Sequence, residues 1–108
     1  MKAYRQGDVS IMAVNSVPKQ AHKVKGELIL ARGELTGHAH RIVEGKASLH
    51  QVAGGGLYLS VASRFAKLSH EEHEDIRLPK GEYEIRRQRE FDWTKTGRSQ
   101  GGLRYVED

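Results

Sequence analysis

Turn-forming residues punctuate this chain at intervals of about ten residues, and that spacing limits its fold more than any other feature. Gly26, Gly33, Gly45, the triplet Gly54-Gly55-Gly56, Pro79-Lys80-Gly81, Gly97 and Gly101-Gly102 each close one short run and open the next. Between them apolar residues alternate with polar ones, as they do on a strand with one buried face. Val9, Ile11 and Ala13 alternate with Asp8, Ser10 and Met12, and the runs 27–32, 36–43, 47–52, 57–62, 65–70 and 82–91 read as further strands, with 103–107 as a closing one. Nowhere do apolar residues recur convincingly at i, i+3, i+4 and i+7, the signature of an amphipathic helix. The segment 17–25, which carries Pro18, reads equally as a helical turn or a loop. The expectation is an all-β chain of seven or eight strands, one small antiparallel barrel or sandwich spanning residues 1–108 as a single domain. An open sheet edge in such a fold makes a homodimer plausible.

Composition then narrows the chemistry. The 108 residues include no Cys, which removes disulfides, thiolate metal sites and thiol nucleophiles, and leaves His, carboxylates, hydroxyls, Lys and Arg. No apolar run approaches the length of a membrane-spanning helix, and MKAYRQGD lacks the apolar stretch of a secretory signal. A cytoplasmic protein without a membrane partner is expected. A net charge of +4 permits an anionic partner without requiring one.

Six histidines stand out, because imidazole is both a common metal ligand and the commonest acid–base group. His38 and His40 are two residues apart, so on a strand both rings face the same side, and parity adds Glu44. Two such rings can reach one divalent cation at bonds of about 2.0–2.2 Å, with a carboxylate completing or orienting the site. A second pair, His70 and His73 in SHEEH, faces inward if the chain turns there; as a solvated loop it carries no function. The spacing is not that of the helical zinc-protease motif, whose histidines are four apart. His22 reads as an inert loop residue, and His50 as a hydrogen-bonded core histidine and a lesser candidate.

His38-x-His40 with Glu44, preceded by Gly33, resembles the first motif of the cupins, and Pro79-Lys80-Gly81 resembles the Pro-x-Gly of their second. The likeness runs from Gly33 to Gln88. It implies a double-stranded β-helix holding a divalent metal, Zn, Ni, Mn or Fe, on His38, His40 and Glu44. Where the second motif carries its histidine this chain has Glu84, which strand parity turns away from Tyr83 and Ile85, so the last ligand is expected from His70 or His73.

The strand 82–91 raises a second reading. Arg87 and Arg89 share the parity of Tyr83 and Ile85, and inward arginines need carboxylates or a bound anion. Glu71, Glu72 and Glu74 are the candidate partners in the structural case. In the functional case Arg87 and Arg89 bind an anionic small molecule or an RNA phosphate through their planar two-pronged donors. With His40 and His70 as acid and base and Arg87 on the phosphate, the chain would be an RNA-cleaving nuclease, with Phe91 and Trp93 stacking on bases unless Trp93 instead plugs the core. A noncatalytic module, stabilised by its metal or binding a partner, is the third class.

Overall fold

The computed structural model describes residues 2–32 and 37–87. Every regular element is a strand: β1 (Ala3–Gln6), β2 (Val9–Val14), β3 (His22–Lys23), β4 (Ile29–Arg32), β5 (Ala39–Glu44), β6 (Ala47–Gln51), β7 (Leu57–His70) and β8 (His73–Arg87). All pairings are antiparallel, in one sheet of order β1-β2-β8-β7-β5-β4, with β6 also on β7 and β3 on β6. The sheet curls into a half-barrel, the small all-β architecture that the alternation predicts. No helix among the described residues is long and apolar enough to cross a membrane.

The spine is the long hairpin of β7 and β8, whose tip sets His70 opposite His73. Its halves have different neighbours. Leu57 to Val61 pair with β6, while Lys67 to Ser69 pair with β5. On the other strand, Glu82 to Arg87 pair with β2. The runs 57–62 and 65–70, expected as two strands, are therefore one. A register shift between Val61 and Phe65 marks where it bends. Across that shift the buried face changes parity, from Leu59 and Val61 to Ala66 and Leu68. β8 does the same, from Leu78 to Tyr83 and Ile85.

Pro79-Lys80-Gly81, expected as a turn, lies inside β8 at this bend. Proline has no N–H to give a ladder, but β2 joins β8 only from Glu82 onward, so Pro79 stands where, among the described residues, the outer edge has no partner strand. Gly81, at φ +149°, takes a backbone conformation other residues rarely adopt, and the Tyr83 hydroxyl donates to the Pro79 carbonyl at 2.5 Å, bracing the curve. Segment 17–25 resolves as irregular chain plus the short β3, and β1, which no alternation announced, adds an edge to the sheet. The expected closing strand 103–107, together with Arg89, Phe91 and Trp93, lies outside the described residues.

The concave face holds Val9, Ile11, Leu30, Leu49, Leu59, Val61, Leu68, Leu78, Tyr83 and Ile85 in one cluster. The opposite face is polar, with Arg86 donating to Glu84 at 3.2 Å, so Glu84 points outward as its parity implied. Between β5 and β6 the chain turns tightly at Gly45 (φ +95°), where a Cβ would collide with the Phe65 carbonyl and the Ala66 backbone. Gly54 has a similar φ of +101° but open space around it. Both Gly→Ala changes carry the cost of a left-handed alanine, about 1–3 kcal/mol, and only Gly45→Ala adds a backbone clash. Gly45→Ala is thus expected to lose at least about 1 kcal/mol more than Gly54→Ala in urea unfolding; equal losses would contradict this packing.

Candidate metal centre

The curl of the sheet brings the two histidine pairs together at the tip of the spine. His38 and His40 arrive at the start of β5, and His70 and His73 flank the β7–β8 turn. Ring centroids are 4.2 Å apart for His40 and His70, 4.7 Å for His70 and His73, 5.9 Å for His38 and His70, and 6.0 Å for His40 and His73. Within this group His38, His70 and Glu71 each offer a ligand atom, all lying within 4.8 Å of one another. That spread exceeds the separation of donors closed on one cation, so a bound ion requires small movements of exposed or half-exposed side chains.

The acids of the turn hold this arrangement. Glu71 accepts the Ala39 N–H at 3.0 Å and faces Arg41 at 3.4 Å, which fastens the turn to the start of β5. The Ala39 hydrogen bond and the Arg41 charge keep its carboxyl below the usual carboxylate value. Glu72 lies 3.6 Å from His38 Nδ1, and its own N–H donates to His70 Nδ1 at 3.0 Å. Accepting there places the His70 proton on Nε2, so a metal on this ring requires the Glu72 hydrogen bond to be given up.

His40 differs from the others in being buried, with 2% of its surface exposed. Gln6, also buried, donates from Nε2 to the Leu68 carbonyl at 3.1 Å and to the Glu74 carbonyl at 2.8 Å. With both its N–H groups committed, Gln6 presents Oε1 to His40 Nδ1 at 2.8 Å, so Nδ1 is the donor and Nε2 the bare lone pair. That Nε2 is 3.5 Å from Asp8 Oδ1, while Asp8 Oδ2 accepts from Arg87 Nε at 2.8 Å. Burial, reinforced by neighbouring His70, pushes the His40 pKa down to about 4 against an attracting Asp8. Burial raises the Asp8 carboxyl, but the Arg87 hydrogen bond and charge outweigh it and leave Asp8 below its ordinary value.

The expected place of Glu44 is corrected. Four residues along a strand cover about 13 Å, and a register shift between Ile42 and Glu44 breaks the parity that aligned it with His40. Glu44 instead pairs with Lys67 at 3.2 Å. Glu71 stands in its place, brought in by the hairpin turn and not by β5 itself. Arg87 keeps its inward parity, yet its carboxylate is Asp8 and not Glu71, Glu72 or Glu74. His22 is exposed on β3, and His50 is half-buried on the polar face, 2.8 Å from Ser48 Oγ; neither joins the cluster.

Sequence reasoning missed Gln6 and Asp8, and named Glu71 only as an arginine partner, not as a member of the histidine cluster. Only Gly7 hinted at the first two: at φ +61° it turns β1 into β2, and the His73 ring sits where its Cβ would be, 2.6 Å from Nε2.

A family model described as a domain of unknown function (DUF8820) matches residues 5–88. The chain belongs to that family. The DUF8820 span includes all four clustered histidines with Gln6, Asp8, Glu71 and Arg87. No match to a cupin family accompanies it, and the ligand set implied by the cupin resemblance is not assembled, since Glu44 lies on Lys67. No curated protein and no solved structure matches the chain.

The buried His40 gives this DUF8820 domain a specific pH response. Its folded pKa of about 4 lies below the ordinary 6.5, so between those values the unfolded chain takes up a proton that the folded one refuses. Stability from this group is constant above pH 6.5 and falls as pH drops toward 4; Asp8, depressed in the fold, acts in the same direction as it protonates. The His40 ring resonances are expected to remain those of neutral imidazole at about pH 5; a His40 midpoint near 6.5 would contradict the burial described.

Proposed function

We propose that this chain binds a divalent transition-metal ion at the tip of its long hairpin, through His38, His70 and Glu71. The carrying observation is the meeting of two sequence-distant histidine pairs with a carboxylate, donor atoms of the three ligands lying within 4.8 Å. Imidazole and carboxylate donors suit Zn, Ni, Mn or Fe, and the absence of Cys disfavours soft-metal chemistry. Two of the three groups are half-exposed and one exposed, so an ion can enter and leave, and water is free to occupy remaining positions. The cupin resemblance of His38-x-His40 supports the same chemistry, with Glu71 replacing Glu44. RNA cleavage by paired imidazoles draws less support, because the His40 ring is buried, too confined to meet a ribose and phosphate directly, and Arg87 is engaged by Asp8.

Zinc titrated into metal-free, untagged protein is expected to bind stoichiometrically by calorimetry. His70→Ala and Glu71→Gln weaken that binding by at least tenfold, while Glu44→Gln leaves it unchanged. Binding also breaks the Glu72–His70 hydrogen bond, which moves the Glu72 amide resonance. Absence of binding, or equal loss in Glu44→Gln, overturns the proposal.

A further inference from the structure

His40 and Asp8 face each other in a way that neither satisfies alone. Gln6 fixes the imidazole with its proton on Nδ1, so Nε2 has only a lone pair, and that lone pair lies 3.5 Å from a carboxylate oxygen. Two acceptors confront each other, the imidazole with 2% of its surface exposed and the carboxylate side chain with 40%, so solvent reaches the pair only from the Asp8 side. A proton between them would relieve the conflict but would create a buried imidazolium beside His70, His73 and the Arg87 guanidinium. A bridging water about 2.8 Å from each atom would see them only about 77° apart, too narrow for its two O–H groups to point at both.

A cation fits better. Two bonds of about 2.1 Å to atoms 3.5 Å apart subtend about 113°, close to the tetrahedral angle. The surroundings also match those of a metal-ligating pair. The other imidazole nitrogen donates to an amide oxygen, and the other carboxylate oxygen accepts from Arg87, so both ligands are oriented from behind.

We infer that His40 Nε2 and Asp8 Oδ1 form a second divalent-cation position, distinct from the one at His38, His70 and Glu71. It does not depend on that first site, with which it shares no ligand. With two protein donors it leaves coordination positions for water and binds more weakly than the three-donor site. His73 lines the approach, its ring nearly parallel to His40 and resting against Gly7.

Cobalt(II) titration of the metal-free full chain, followed by visible absorption and by metal content after desalting, separates the two positions. The wild type is expected to take up about two equivalents, the weaker one lost in Asp8→Asn and the tighter in Glu71→Gln. Asparagine retains the shape and an oxygen for Arg87, so the variant is expected to fold; in case it does not, zinc added to the wild type is read by the ¹⁵N shift of His40 Nε2. One equivalent unaffected by Asp8→Asn, with His40 Nε2 unmoved, overturns the second position and leaves the first. One equivalent lost in Asp8→Asn and retained in Glu71→Gln overturns the first and leaves the second. A protonated His40 Nε2 at neutral pH overturns the second position outright.

Discussion

The carboxamide of Gln6 is the contact on which the site depends. Its three hydrogen bonds reach β7 through Leu68, β8 through Glu74 and β5 through His40, so one buried side chain from β1 ties together the strands that the curl brings side by side. Each bond contributes about 0.5–1.5 kcal/mol net, but an unpaired buried partner costs more than a bond contributes. Removing Gln6 would strand an imidazole N–H in the interior. The half-barrel and the orientation of His40 are therefore one arrangement: the closure of the sheet supplies the partner that sets the tautomer.

Electrostatics at the tip follow from that closure. Burial, with His70 beside it, holds the His40 imidazole neutral, and the acids around it are divided between structural and open duties. Glu71 fastens the hairpin turn to β5, and Asp8 restrains Arg87. The result is a group of nitrogen donors with carboxylates at hand, the donor set on which the proposed cation sites rest. A nuclease-like acid–base pair needs the opposite, two rings of differing protonation both open to substrate.

Much of this was legible in the sequence, and the exceptions share a cause. Alternation of the Val9-Ile11-Ala13 kind gave away the strands, and the spacings His38-x-His40 and His70-x-x-His73 identified the clustered rings, because both signals are local. The bend was hidden. Val61 keeps step with the residues on its N-terminal side and Phe65 with those on its C-terminal side, and nothing in either run tells that they belong to one strand with a parity reversal between. Asp8 and Arg87 are 79 residues apart, and Gln6 and His40 are 34 apart. A glutamine in an edge strand and an aspartate after a glycine look like solvated surface until the sheet curls over them. Glu44 failed for a related reason, since parity was read through a bulge that local pattern does not disclose.

The split partnership of the long hairpin also sets the order in which the chain can acquire its structure. β2 finds its neighbour only in the last strand described, with Val9 opposite Arg87. During synthesis at about 5–20 residues per second, the first two strands therefore wait several seconds for the surface that will cover Val9 and Ile11. The intervening strands can pair as they emerge, but the N-terminal pair has no core to join until the end. Folding of the whole sheet is thus a late, long-range event. The approach of Asp8 to His40 on β5 can form only after that event, so this contact reports that the complete sheet has closed.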